Sequence, residues 1–271
     1  IGTVIRNMGE QATRNCITHC AEQAEASGLD HVWTVDHIAI PPDDAEGSLG
    51  RYLDPLATLA FLAAITDRIG IGVSVLILPY RPALPTLKWI ATIQELSGGR
   101  LLFGVGCGWM PTEFKALGVN RKQRGVITDQ VLDLFKRCFS ASDDIAMENG
   151  QSFLFRPNPK TPPVYVGGMN EPALKRAVNS GDGWMPVGLN AAQLEPKVAR
   201  LRELAQEAQK SVPDIIVMGR LPDTDTEAED VFGRLQELGA SQYVQTSRYA
   251  DEHAFDSICE RLVRLRKSLS S

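Results

Sequence analysis

Leu96-Ser97-Gly98-Gly99-Arg100-Leu101-Leu102-Phe103-Gly104-Val105-Gly106-Cys107-Gly108-Trp109 reads as three pieces in succession. A helix end is stopped by glycines, a short buried strand follows, and a glycine-rich turn sits at that strand's C-terminal end. Glycine lets the main chain approach a flat or anionic ligand and adopt positive φ, so a turn of this composition suits a cofactor site.

Outward from that stretch, short β-branched runs alternate with amphipathic stretches toward both ends of the chain. Strands are expected at 3–5, 31–35, within 68–78, and at 101–106, 164–166, 182–187, 215–218 and 242–245. Helices are expected at 13–27, stopped by Gly28, and from Asp54 as N-cap with Pro55 in the first turn. Further helices are expected at 83–96, 112–117, 126–139, 171–179 behind Asn170, from Asn190 to about residue 210, 226–238 and 251–269. The polar, proline-bearing section 141–163 is expected to carry a small hairpin or excursion at 145–155. Eight strand–helix units in sequence favour an α/β fold of the (β/α)₈ TIM-barrel type over an open doubly wound sheet. No composition break marks a boundary, so one domain over 1–271 is expected. A dinucleotide-binding reading is weak, because Gly104-x-Gly106-x-Gly108 lacks the third glycine at the fingerprint spacing.

Composition narrows the function classes. Hydrophobic content of 44% with 23% charged residues is that of a soluble globular enzyme. A net charge of −5 leaves no electrostatic footprint for nucleic acid, and no basic stripe points to a membrane surface. The longest apolar runs, such as 71–79, fall far short of the roughly 20 residues that a membrane span needs. No signal peptide is visible. The five cysteines are scattered and form no C-x-x-C pair, so reduced thiols and a cytoplasmic location are expected.

In a barrel, chemistry belongs to the strand C-terminal ends and the loops after them. Asp36-His37 ends the second strand. His37 there can hydrogen-bond a cofactor ring or move a proton near neutral pH, with Asp36 orienting its ring. The alternative is a histidine that merely ties down the loop after it. Gly167-Gly168-Met169-Asn170 joins the fifth strand to a helix, and paired glycines there expose amides to an anion such as phosphate. Asp182-Gly183-Trp184 by its residue types reads as a turn with a packed aromatic. Cys107 has no histidine near it in sequence and is a poor candidate nucleophile. Arg51, Arg81 and Lys88 lie near the presumed open end, where they would meet an anion such as phosphate or simply face solvent. No His, Cys or carboxylate cluster has metal-ligand spacing, and no G-x-S-x-G elbow occurs.

The run Ser97-Gly98-Gly99-Arg100 through Gly104-Val105-Gly106-Cys107-Gly108-Trp109, with Asp36-His37 and Gly181-Asp182-Gly183-Trp184, resembles the luciferase-like flavin and deazaflavin oxidoreductases. The resemblance extends from the first strand through Trp184 and thins toward the C-terminus. It implies a luciferase-like barrel without a long insertion. It also implies a non-prolyl cis peptide at Ser74-Val75 backing the cofactor ring, and His37 beside the ring's centre. Main chain around Gly106, Cys107 and Gly108 would meet the cofactor, its phosphate would lie near Gly167, Gly168 and Met169, and Trp184 would belong to the same site.

The implied cofactor is coenzyme F420, with FMN as the alternative. The implied chemistry is hydride transfer to or from a small organic substrate. With FMN it becomes a monooxygenase using reduced flavin and O₂, supplied by a separate reductase. Deazaflavin-dependent sugar-phosphate dehydrogenases of this family carry a catalytic glutamate where this chain has Trp109, which argues against that substrate. A further alternative is a non-catalytic flavin-binding or dimerising barrel. The family implies a homodimer through the helices at 54–66 and 83–96.

Overall fold

Apolar, β-branched runs buried along their whole length need shielding on both faces, the condition of a parallel sheet wrapped by helices. The computed structural model, which describes residues 1–45 and 47–268, has that arrangement. In chain order the elements are β1 (Gly2–Val4), α1 (Arg14–Ala26), β2 (His31–Thr34), α2 (Pro55–Ile65), β3 (Gly70–Ile77), α3 (Ala83–Leu96), β4 (Leu101–Gly106), α4 (Pro111–Ala116) and α5 (Arg124–Phe139). They continue as β5 (Ile145–Glu148), β6 (Gln151–Leu154), β7 (Val164–Gly167), α6 (Glu171–Ser180), β8 (Gly183–Met185) and α7 (Ala191–Glu207). The chain then forms β9 (Asp214–Gly219), α8 (Asp225–Glu237), β10 (Gln242–Gln245) and α9 (Glu252–Ser268). The strands β1, β2, β3, β4, β7, β8, β9 and β10 pair in that order, all parallel, and β10 closes on β1. The antiparallel pair β5–β6 stands outside the wall, where the hairpin was expected.

Most element boundaries lie within a few residues of the sequence expectation. The sixth barrel strand stops at Met185 instead of residue 187, because Pro186 has no N–H to give the ladder. The last helix is described to Ser268, and the expected end at Leu269 lies outside the described residues.

Two apolar layers hold the wall. Inside the barrel, Val4, Trp33, Tyr165, Met185, Ile216, Met218 and Val244 form one cluster, with Trp33 and Tyr165 edge to face at 5.9 Å. Glycines on neighbouring strands make room for these rings. A Cβ at Gly72 would lie 2.4 Å from Trp33, and one at Gly183 would lie 2.6 Å from Tyr165. Outside the wall, the opposite strand faces meet the helices, as where Phe103 packs against Phe135 at 5.5 Å. The helix starts are fixed by side-chain caps: Asp54 accepts from the Leu56 and Ala57 amides, Asn170 accepts from Ala173, and Asn190 and Gln193 form a capping box.

β3 is the irregular strand. Its register against β4 shifts between Val73 and Leu76, and the Ser74–Val75 peptide is cis, as the resemblance implied. This bulge lies at the C-terminal rim, where the loops of β2, β4 and β7 converge.

Candidate active site

Asp36 and His37 lie just beyond the end of β2, and the structure sends their side chains to different partners. The Asp36 carboxylate is fully buried and takes a bidentate pair from Arg81, at 2.7 and 2.8 Å, plus the Ile77 amide at 2.9 Å. Arg81 also donates to Asp54 at 2.8 Å, whose other oxygen caps α2. Asp36 is thus a brace joining the ends of β2 and β3 to the start of α2. Its hydrogen bonds do not reach the His37 ring, which corrects the orienting role expected of it. Burial opposes the charge on Arg81, but the two carboxylates outweigh it and raise its pKa.

The partner of His37 is Glu113, a residue the sequence reading passed over. Glu113 stands in the first turn of α4, and its side chain is 0% exposed. One oxygen accepts from the main-chain amides of Ile38 and Ala39, at 2.6 and 3.0 Å. The other lies 2.9 Å from His37 Nδ1 and accepts from the Tyr80 hydroxyl at 2.9 Å. Burial pushes the carboxyl upward, but the hydrogen bonds to the charged form prevail and hold its pKa below the usual value. Burial and this carboxylate together push the Tyr80 phenol far up, so it stays a donor. Tyr52 lies 5.1 Å from the His37 ring and Trp109 lies edge-on at 6.2 Å. A first-turn glutamate in Pro111-Thr112-Glu113-Phe114 ordinarily reads as a solvated helix acid. The only available signal was its place just after the glycine turn.

Beside His37 lies a pocket of about 170 Å³ lined by Ser74, Val75, Tyr80 and Trp109 among others. It shares Val75, Ile77 and Trp109 with a larger cleft of about 850 Å³. The larger cleft brings together Gly106, Cys107, Gly108, Gly167, Gly168 and Met169, all singled out in the sequence, with four cations: Arg121, Lys122, Arg124 and Arg176. Among the described residues, the amides of Met169 and Asn170 donate to no protein group. The first turn of α6 gives fewer donors than the paired glycines suggested, since Pro172 has no N–H and the Ala173 amide is taken by Asn170. The anion-attracting character of this end therefore comes from the loop amides and the basic residues together.

Other expected residues lie elsewhere. Trp184 is fully buried and donates from its indole to the Gly168 carbonyl at 2.7 Å, so it positions the loop from behind instead of lining the cleft. Arg51 donates to the Ala12 carbonyl and Lys88 to that of Arg156, so neither is a free phosphate ligand at the mouth. Cys107 is half-buried at the cleft wall and has no hydrogen-bonded base among the described residues. Among the described residues, no three His, Cys, Asp or Glu side chains group as metal ligands, and no helix is long and apolar enough to cross a membrane.

Comparison with known proteins gives this geometry a context. The luciferase-like monooxygenase family model matches residues 3–267. An uncharacterised protein of Mycobacterium tuberculosis is 30% identical over 211 residues, 71% of this chain and 72% of that one. A 5,10-methylenetetrahydromethanopterin reductase of Methanolobus tindarius is 28% identical over 204 residues, covering 73% of this chain and 57% of the relative. Among solved structures, an F420-dependent secondary alcohol dehydrogenase in complex with an F420-acetone adduct superposes with a TM-score of 0.78. Its identity is 17%, over 96% of each chain. The oxygenating constituent of 3,6-diketocamphane monooxygenase from Pseudomonas putida, in complex with FMN, superposes with a TM-score of 0.71 at 14% identity, over 97% and 95% of the two chains. At these identities the structural likeness shows the fold alone.

Proposed function

Because the chain belongs to the luciferase-like monooxygenase family, we propose that it is a single-domain oxidoreductase using coenzyme F420 to exchange a hydride with a small organic substrate. The observation that carries this reading is the two-ended cleft. One end offers four cations and two unpartnered amides, the chemistry that takes a phosphate-bearing tail. The other end offers His37, with an apolar floor at Val75 and Ile77 between them. A flat ring with an anionic tail fits such a site. Val75 fills the space that side chains at positions 106 and 167 would otherwise take.

When bound, the deazaflavin supplies a ring carbon that accepts or releases a hydride. The residues of this chain do the rest. Arg121, Lys122, Arg124 and the loop amides would hold the tail, beside Arg176, whose guanidinium is fixed on the same wall by its pair with Asp129. Trp109 and Tyr52 wall the region around His37. The Nε2 atom of His37 has no protein partner among the described residues and is the group placed to take or return the substrate proton. The preference for F420 over FMN rests on the Asp36-His37 pair, the Gly106-to-Trp109 turn and the chain's lack of a long insertion. The alternative is FMN, which the similarly folded diketocamphane oxygenase binds, and it would add O₂ and a separate reductase.

A homodimer through α2 and α3 goes with the proposal, since α3 leaves Trp89 and Leu96 exposed. A cytoplasmic location goes with it as well, all five cysteines being free.

Parallel fluorescence titrations of cofactor-free protein with F420 and FMN, each oxidised and reduced, test the function. Tight F420 and weak FMN binding is the expected result. The reverse would replace this reading with the monooxygenase, and binding of neither would leave a non-catalytic barrel.

A further inference from the structure

We infer that Glu113 is a positioning residue that locks His37 in its Nδ1–H tautomer, so that Nε2 faces the cleft as a proton acceptor. The catalytic meaning of this rests on the function proposed above; the tautomer itself does not.

The argument is one of donor and acceptor counting. A carboxylate has about four acceptor sites, and Glu113 has four neighbours to fill them. Two are main-chain amides, from Ile38 and Ala39, which can only donate. They occupy one oxygen. The second oxygen is shared by the Tyr80 hydroxyl and His37 Nδ1, both at 2.9 Å. A carboxylate held ionised by these contacts has no proton to give, so the imidazole must donate from Nδ1. Free imidazole in histidine carries its proton mostly on the other nitrogen. The protein therefore selects the less common form, and the selection presents a lone pair at Nε2 where no protein group satisfies it. The same carboxylate fixes the main chain just after His37, so ring orientation and tautomer are set by one group.

The test follows from what an amide would do there. In Glu113→Gln, the carbonyl oxygen is claimed by the Ile38 and Ala39 amides, which forces the NH₂ group against His37 Nδ1. That nitrogen must then accept, and the proton moves to Nε2. Long-range ¹H–¹⁵N spectra of the four histidines distinguish the two forms at a pH where the rings are neutral. His31 is an internal reference for the opposite tautomer, since its Nδ1 accepts from the Trp33 indole at 2.7 Å. The His37 signal is assigned by its absence in His37→Gln.

The expected result is a protonated Nδ1 in the unmodified protein and a protonated Nε2 in Glu113→Gln. The variant should also lose about 10²-fold or more in kcat while its cofactor affinity changes less than threefold. An Nε2–H ring in the unmodified protein overturns the inference, whether or not the variant folds. An Nδ1–H ring in a folded Glu113→Gln overturns it too. Because the spectra need no cofactor, failure to bind F420 would sink the functional reading and leave this one standing.

Discussion

Val75 decides which side chains its neighbours can carry. A Cβ at Gly106 would lie 2.4 Å from its Cγ2, and one at Gly167 would lie 2.8 Å from its Cγ1. A Cβ at Gly104 would instead lie 2.0 Å from the main-chain oxygen of Val73. A side chain can be shortened, whereas a strand carbonyl cannot be moved without breaking the ladder. Gly106→Ala should therefore cost about 1–3 kcal/mol, and adding Val75→Ala should recover part of that loss. Gly104→Ala should be severe with or without Val75→Ala. Urea unfolding of the four variants checks the pattern; equal recovery at 104 and 106 would refute it. Glycine at these positions was plain in the sequence, and so was its suitability for close approach. The partner that comes close was not, since it sits on another strand, far away in the chain.

At the scale of elements, the Arg81 brace ties together three parts that are separate in the chain. It joins the end of β2 through Asp36, the start of α2 through Asp54, and the segment after β3 through its own backbone. Removing one member of a buried, hydrogen-bonded ion pair strands the other charge, typically at about 3–5 kcal/mol. Arg81→Leu should lose stability of that order, whereas Asp54→Asn, which keeps a capping oxygen, should lose about 1 kcal/mol or less. Thermal melts of the two variants rank them, and an Arg81→Leu protein as stable as Asp54→Asn would refute the brace. Local sequence did announce the caps: Asp54, Asn170 and Asn190 all cap the helices expected of them. A cap acts on amides two or three residues away, so its signal lies within one short window. The Asp36–Arg81 pair spans forty-five residues, and no local pattern marks it.

At the scale of the whole molecule, a titratable group is buried in the barrel wall. His31 of β2 is 3% exposed, and burial pulls its pKa down to about 4 from an ordinary value near 6.5. The unfolded chain thus binds this proton first as pH falls. The stability contributed by the neutral ring is fully present above about pH 6.5 and is lost as pH drops toward 4, by up to roughly 3 kcal/mol. His31→Gln keeps an acceptor for the Trp33 indole and has no proton to bind. Its unfolding midpoint should fall less between pH 7 and 4.5 than that of the unmodified protein. Parallel slopes would show that His31 does not carry the effect.

Periodicity, turn residues and caps are properties of short windows, and they were enough for the order of the elements, the eight-stranded parallel barrel and the side hairpin. The strand-end positions of His37, Gly106, Gly108, Gly167 and Gly168 followed from the same reading, because a barrel sends every strand's C-terminal end to one face. The tertiary structure alone decided which side chain meets which. It gave His37 to Glu113, turned Asp36 toward Arg81, set Trp184 behind the Gly168 loop and gathered Arg121, Lys122, Arg124 and Arg176 into one cleft wall. The physical reason is that hydrogen bonds and charge pairing act over a few ångströms of space. Closing the barrel brings together residues tens of positions apart, and nothing in their own neighbourhoods encodes the meeting.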